Sequence, residues 1–404
     1  MKILFISTLL PCPQDNGGKI KTFHTLKVLS KNHTIDFISF INNKDEQQFI
    51  DQISEYCSNI SLVEKILIKS HSKKIFLMSF IKSLFSKYPY VVNKFYSRKM
   101  KNKITKLQEN NMYDVIYVDH LQMMRYKKLF DFPVILDQHN VESLIVKRHI
   151  QKEKSIVKKI FLYLEYIKLY RFEKKTINEL DYIIALSDRD KNELQNMRNN
   201  NYIKKEIETI PICIETDLIK YNYHVNSKKI NLLFIGTMSW FPNSQGIQWF
   251  VKNVFSQLDK EKFHLFIVGG NPTNEIIQLN QISNITVTGY VKDVNEYFSF
   301  CDLLIVPLFI GSGLRVKILE AFAKGMPVIS TQIGAEGLAF KERENILIAN
   351  NQDEFLEVFK EIYEDMGILK SIALKGRETY LNKYSLLALE KDLNKFISTV
   401  IKSG

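Results

Sequence analysis

Three groups of residues in this 404-residue chain have types and spacings suited to chemistry. The first is Gly311-Ser312-Gly313-Leu314-Arg315-Val316-Lys317, with Glu320 following. It lies after the apolar run 303–307 and before Gly325, Pro327 and the apolar pair Val328-Ile329, so the stretch reads as strand, glycine loop, helix, turn, strand. Ser312 is expected to be the N-cap and Gly325 the C-cap. Such a βαβ unit sets free backbone N–H groups and the positive end of a helix at the carboxyl edge of a sheet, where an anion binds. Arg315 and Lys317 in the first turns oppose the macrodipole by about 0.3–1 kcal/mol each, and a bound phosphate removes that conflict. The competing reading is a solvated ion-pair stripe of Lys317, Glu320 and Lys324 at i, i+3 and i+7.

The second group is Asp137-Gln138-His139-Asn140, directly after an apolar strand. His139 is therefore expected at the carboxyl end of a sheet, serving the reaction or satisfying a structural role. The third comprises glycines at predicted strand ends: Gly17-Gly18, Gly236, Gly269-Gly270, and Gly289 before Tyr290-Val291. Each alone is a turn signal, but several at one sheet edge suit a nucleotide. Gly17-Gly18 lacks the GxGxxG spacing of a dinucleotide fingerprint, which disfavours a dehydrogenase. Asp188-Arg189-Asp190 follows Ser187 and a strand, so it is expected to cap a helix, and no metal is expected. Neither a GxxxxGK[ST] loop, an HExxH helix nor a GxSxG elbow is present.

These groups need sheets to position them. Strands are predicted at 2–7, 35–40, 114–118, 134–137, 182–186 and 208–211, then at 231–235, 264–268, 285–288, 303–307, 327–331 and 346–349. Helical patterns lie between them, including a helix starting near Lys19, a long stretch over 141–180 and one over 293–301. The alternation predicts two α/β domains with parallel sheets facing a central cleft. The boundaries expected are 1–222 and 223–404, with a linker at 221–229 and the last helix packing back on the first domain.

Composition sets limits. The formal net charge is +12, and between Glu64 and Glu109 stand twelve Lys or Arg and no Asp or Glu. Phe76, Leu77, Met78, Phe80, Ile81, Leu84 and Phe85 interleave with those lysines, a pattern suited to an anionic membrane surface or, more plainly, to a solvated basic face. A second basic and aromatic segment, from Lys158 to Arg171, is expected to pack its rings within the helix bundle. No nucleic-acid module surrounds either segment. Cys12, Cys57, Cys213 and Cys301 are scattered, which argues against a disulfide framework or zinc site and for a reducing compartment. The opening MKILFISTLLPCP reads as a buried strand in preference to a signal peptide. No run reaches the roughly 18 apolar residues of a membrane span.

GSGLRVKILEAFAKGMPVISTQIGAEGL resembles the C-terminal signature of family-4, or group 1, glycosyltransferases, specifically their GxGxRxKxxE subset. TGYVKDVNEYFSFCDLLIVP resembles the preceding segment, and the early glycine loop, PVILDQHN, YIIALSDRD and LLFIGTM occur in the family's order. The resemblance implies a GT-B architecture of two Rossmann-like domains, an acceptor held by the first, a nucleoside-diphosphate sugar held by the second, and metal-independent transfer with retention. It implies no cofactor beyond that donor substrate. Glu320 matches the second glutamate of the family's E-x7-E motif, on the donor ribose, and His139 the histidine near the reacting sugar. Gly17 and Gly18 match the loop approaching the diphosphate, Tyr290 and Val291 the nucleobase contact, and Gly236, Ser312, Gly313 and Leu314 complete the donor site.

Two positions depart from the pattern. Ser312 stands where the first motif glutamate belongs, and the Arg and Lys usual after the first strand of the second domain are missing from GTMSWFPNSQG, so Arg315 and Lys317 are expected to neutralise the diphosphate. The function implied is hexose transfer to a glycan, lipid-linked, in bacterial surface polysaccharide synthesis such as capsule or O-antigen, at the cytoplasmic face of the plasma membrane. The alternatives are a sugar-nucleotide epimerase of the same fold and a non-catalytic sugar-nucleotide-binding protein.

Overall fold

The computed structural model describes residues 1–67, 83, 86–198, 207–216, 229–310 and 314–401. Ser312 and Gly313 of the proposed donor loop, the seven apolar residues named from Phe76 to Phe85, and 221–228 of the expected linker lie outside them. The chain forms two compact units, Met1–Cys213 with Leu389–Gly404, and Ile214–Ala388.

The first unit is built on seven parallel strands: β1 (Lys2–Ile6), β2 (Thr34–Ile41), β3 (Asn59–Glu64), β4 (Val115–Asp119), β5 (Val134–Gln138), β6 (Tyr182–Ala185) and β7 (Glu208–Thr209), in the order β3-β2-β1-β4-β5-β6-β7. Helices cover both faces of such a sheet, so its central strands are continuous apolar runs without alternation. Ile3, Leu4, Phe5 and Ile6 are all fully buried, each contributing about 1.5–3 kcal/mol relative to exposure. β3 was not expected from the sequence: NISLVE mixes polar and apolar residues because it is an edge strand, half-exposed.

The second unit carries six parallel strands: β8 (Ile230–Ile235), β9 (Phe263–Val268), β10 (Ile285–Gly289), β11 (Leu303–Val306), β12 (Val328–Ser330) and β13 (Leu347–Ile348), in the order β10-β9-β8-β11-β12-β13. In each sheet the order reverses once, beside β1/β4 and beside β8/β11. Chain crossovers diverge there and open a crevice at the strands' carboxyl ends.

The long helical stretch is two helices, α2 (Glu142–Lys152) and α3 (Ile156–Glu179), preceded in the chain by α1 (Gly17–Leu29). Helix α4 (Val316–Lys324) follows β11 and closes at Gly325, whose φ of +67° is the left-handed cap that glycine adopts without penalty. The final helix, Leu386–Ile401, has most of its length in the first unit.

Candidate active site

In the first unit, the β1/β4 crossing holds a buried polar network around Asp119, the last residue of β4. Ser7 Oγ, just past β1, donates to Asp119 Oδ2 at 2.6 Å, and Thr22 Oγ1 on α1 donates to the same oxygen at 2.8 Å. Two imidazoles complete the shell. His139 Nε2 lies 2.7 Å from Oδ1, off the straight line of a hydrogen bond, and His120 Nδ1 lies 3.1 Å from Oδ2. The two rings sit side by side, centroids 3.8 Å apart. Burial disfavours the Asp119 carboxylate, yet His120 and His139 outweigh it and hold its pKa well below the usual range. Burial also opposes charge on His120, but Asp119, Glu142 and Asp137 prevail and raise its pKa. His139 moves the other way, lowered by burial and by His120. The two shifts favour the charged form of His120 and the neutral form of His139.

Two further buried carboxylates fix this arrangement. Asp137 at the end of β5 accepts from Lys21 Nζ at 2.5 Å and from Tyr117 Oη at 2.7 Å, tying α1 to the sheet. Glu173 on α3 accepts from Gln138 Nε2 at 2.6 Å, from the backbone N–H groups of Glu142 and Ser143 at 2.8 and 3.1 Å, and from Ser143 Oγ. A carboxylate at the head of α2 satisfies orphan amides and locks the His139 loop. Burial pushes the Glu173 pKa up to about 7 against those hydrogen bonds. His120 has φ +82°, a left-handed conformation that costs a non-glycine residue about 1–3 kcal/mol and persists only where its surroundings impose it.

In the second unit, the loops after β8, β9 and β10 are stitched together. Gly236 N–H donates to Val268 O at 3.0 Å, Met238 N–H to Gly270 O at 2.9 Å, and Gly269 N–H to Gly289 O at 3.0 Å. The glycines expected at one edge are thus brought together, with Tyr290 80% exposed beside them and Val291 half-buried. Lys317, from α4, reaches this edge. Its ammonium donates to Ile235 O and to Asn243 Oδ1, the latter at 3.2 Å, while Asn243 Nδ2 donates to Thr237 O at 3.0 Å. A Cβ at residue 236 would lie 2.4 Å from Asn243 Nδ2 and 2.9 Å from Lys317 Nζ, so only glycine leaves room for this brace.

Burial, then the nearby Arg315 charge, push the Lys317 pKa down to about 7 despite Glu320. Arg315 is buried, its guanidinium 5.9 Å from the Trp240 ring centroid; burial lowers its pKa against the pull of Glu336. Burial raises the Glu320 pKa, with Lys324 and Lys317 opposing.

Several expectations change here. The N-cap of α4 is Arg315, not Ser312. Lys317 turns its donors to Ile235 and Asn243, and no ion pair joins it to Glu320 among the described residues, so the surface stripe does not form. Lys324 Nζ donates instead to Thr216 Oγ1 at 2.7 Å. Leu314 is half-buried ahead of α4. Gly17 is the first residue of α1, two positions before the expected start, with Asn16 as its N-cap. Asp188 and Asp190 lie in the first turn of a helix capped by Ser187, whose Oγ accepts from Asp190 N–H at 3.1 Å and donates to its Oδ2 at 2.6 Å.

Asp119, His120 and His139 are the one grouping among the described residues with metal-ligand atoms close together, within 4.8 Å. Ser7 and Thr22 already occupy Oδ2, and the raised His120 pKa favours a proton over a metal ion on that ring, both unfavourable to a cation. Sequence reasoning singled out His139 and missed Asp119, His120, Glu173 and Asn243.

Residues 229–365 match the family model described as Glycosyl transferases group 1. An uncharacterised 44.6 kDa protein in the cps region of Klebsiella pneumoniae is 23% identical over the whole of both chains. Among solved structures, sucrose-phosphate synthase from Thermosynechococcus elongatus superposes with a TM-score of 0.70 at 16% identity, covering all of both chains. HepE from Anabaena in complex with UDP gives 0.67 at 11% identity, covering 99% of this chain and 100% of that one. With the two parallel-sheet units, these likenesses show a GT-B fold.

Proposed function

We propose that this chain, whose residues 229–365 form a group 1 glycosyltransferase domain, moves a hexose from a nucleoside-diphosphate sugar to a glycan acceptor with retention of configuration. The observation carrying this reading is Lys317: a half-buried ammonium near Arg315, held by two neutral oxygens at a glycine-lined sheet edge. A diphosphate supplies the missing negative charge. As the sugar–oxygen bond breaks, charge accumulates on that leaving group, and prearranged cations stabilise it more than the ground state. Glu320 is assigned to the ribose, Tyr290 and Val291 to the base, and Gly17, Gly18 and His139 to the diphosphate and sugar. No carboxylate is assigned as a nucleophile, which favours attack on the face from which the diphosphate leaves. Similarity to HepE in complex with UDP and to a cps-region protein supports a uridine nucleotide and a surface polysaccharide.

A lipid-linked acceptor is supported by the stretch 147–164. Six Lys or Arg stand there against the single acid Glu153. Ile156, Val157 and Ile160 are 75%, 64% and 58% exposed, beside exposed Lys147, Lys154, Lys158 and Lys159. The first turn of α3 carries no acid, and its N-cap Ser155 makes no capping bond. Apolar side chains, cations and an open helix N-terminus together suit an anionic bilayer. By contrast, Met100 and Ile104 of the helix Arg98–Asn110 are buried in the core, which leaves its lysines a solvated face. Among the described residues no helix is long and apolar enough to cross a membrane.

A panel of nucleotide sugars tests the reading. Diphosphate released only with an acceptor, and a product of unchanged anomeric configuration by NMR, supports it. An isomerised donor instead favours an epimerase, the reading that the Asp119–His120–His139 grouping suits. Binding to phosphatidylglycerol vesicles should weaken with salt and with Ile160→Asp; no binding at low salt removes the membrane.

A further inference from the structure

The histidine network of the first unit contains more than a support for His139. Two ring nitrogens, His120 Nε2 and His139 Nδ1, have no hydrogen-bond partner among the described residues. They lie 3.6 and 3.7 Å from the point where a Cβ on Gly18 would stand. Both open edges therefore border one small space, which a side chain at residue 18 would fill and glycine leaves free. The nearest atom to that point is Asn16 Oδ1, at 3.4 Å, which caps α1 by accepting from Lys19 N–H, and the first turn of that helix contains no acidic residue.

The proton positions follow from Asp119. An unprotonated ring nitrogen 2.7 Å from a carboxylate oxygen sets lone pair against lone pair, so His139 Nε2 carries its proton and the neutral ring offers Nδ1 as an acceptor. His120 Nδ1, 3.1 Å from Oδ2, is protonated for the same reason. The Asp119 carboxylate 3.1 Å away favours a second proton on this ring, and with it His120 offers Nε2–H as a donor. The adjacent rings present opposite hydrogen-bond polarity, one ready for an anion and the other for a hydroxyl. A ligand matching both carries a hydroxyl next to a phosphate.

We infer that His120 and His139 form a two-imidazole grip on a sugar phosphate ester, His120 Nε2–H donating to a phosphate oxygen and His139 Nδ1 accepting from a sugar hydroxyl, with Asp119 the positioning residue for both rings. This rests on the glycosyltransferase reading, within which His120 becomes a further substrate-contacting residue. The ester has two possible sources, the nucleotide sugar or a lipid-linked glycan phosphate. The positive-φ backbone of His120 fits this role, since its backbone N–H donates to Asp137 O at 3.0 Å and its ring is held by Asp119 and by Thr8 Oγ1 3.4 Å from Nδ1. The charged groups around it are Asp119 on β4, Asp137 and His139 from β5 and its loop, Glu142 on α2, and Lys21 on α1, which is paired to Asp137.

The test is a histidine-detected NMR titration of the full chain with the 1-phosphates of glucose, galactose and mannose. At least one should raise the His120 pKa by about one unit, a tenfold preference for the imidazolium, and shift His139 without protonating it. His120→Gln should weaken that binding about tenfold or more, with an unchanged Tm and unchanged backbone amide spectrum checking that its folding is intact. UDP-glucose and farnesyl-diphosphate-linked N-acetylglucosamine then identify the source, the active one moving His120 at the lower concentration. A His120 signal unmoved by all three sugar phosphates, or unchanged affinity in folded His120→Gln, overturns the grip. The titration in wild type needs no variant to fold and no turnover. An active transferase with a silent His120 therefore rejects the grip alone, and a responsive His120 in a chain that transfers nothing rejects the transferase reading alone.

Discussion

The two sheet crossings of this molecule share a topology and differ in how their charges are completed. At β1/β4 the carboxylate of Asp119 collects two hydroxyls and two imidazoles. At β8/β11 the Lys317 ammonium has, as hydrogen-bond partners among the described residues, the oxygens of Ile235 and Asn243, and it lies 4.9 Å from the Phe234 ring centroid. One fold device thus yields a centre that is electrostatically closed, suited to orienting a ligand, and a centre short of an anion, suited to neutralising one. Burial disfavours both cations with opposite outcomes: it is outweighed at His120, whose pKa rises, and prevails at Lys317, whose pKa falls to about 7.

The largest expected effect lies in the anion-short centre. Lys317→Ala should lower kcat about 10²–10³-fold, as expected for loss of a transition-state charge contact, and Arg315→Ala at least about tenfold, or ~1.4 kcal/mol. Steady-state assays in which both variants keep wild-type rates would erase the distinction between the centres. Next, the closed centre should depend on buried pairs. Lys21→Ala strands Asp137 and should destabilise the protein by about 3–5 kcal/mol in urea titrations; a cost below about 1 kcal/mol would mean the pair is effectively solvated.

Glu173 sharpens the comparison through pH. Its folded pKa of about 7 lies above the unfolded value, so the unfolded chain binds fewer protons between them. Its contribution to stability is therefore fully present below about pH 4.5 and is lost as pH rises through about 7. Glu173→Gln should flatten that part of the profile of Tm against pH, and an unchanged slope would assign it elsewhere. The smallest effect concerns metal. With Asp119 Oδ2 already taken by two hydroxyls, transferase activity is expected within about 20% of control after EDTA and gel filtration, where a loss restored by a divalent ion would make Asp119, His120 and His139 its ligands.

Much of this was legible in the sequence because the relevant physics is local. Continuous apolar runs mark strands buried on both faces, and glycine after such a run marks a sheet edge. His139, Gly236 and Lys317 were placed on that basis. Asp119 was hidden because it ends an apolar strand with no spacing motif; its one signal is an acid at the buried end of YDVIYVD, beside a histidine. Glu173 sits in a helix rich in Lys, Arg and Glu, where sequence does not separate a buried carboxylate from solvated ones. The start of α4 was misread because Ser312 is a good cap in isolation, whereas the helix axis is set by packing of Ile318, Leu319 and Phe322, all fully buried.

The most direct test of the central claim, that Lys317 awaits a diphosphate, is calorimetric titration of UDP at pH 8 in two buffers of different ionisation enthalpy. A bound diphosphate should raise the Lys317 pKa from about 7, so binding should take up protons, up to one per UDP. Lys317→Ala should abolish that uptake and weaken affinity about tenfold or more. UDP bound with equal affinity by both proteins and without proton uptake would contradict the account.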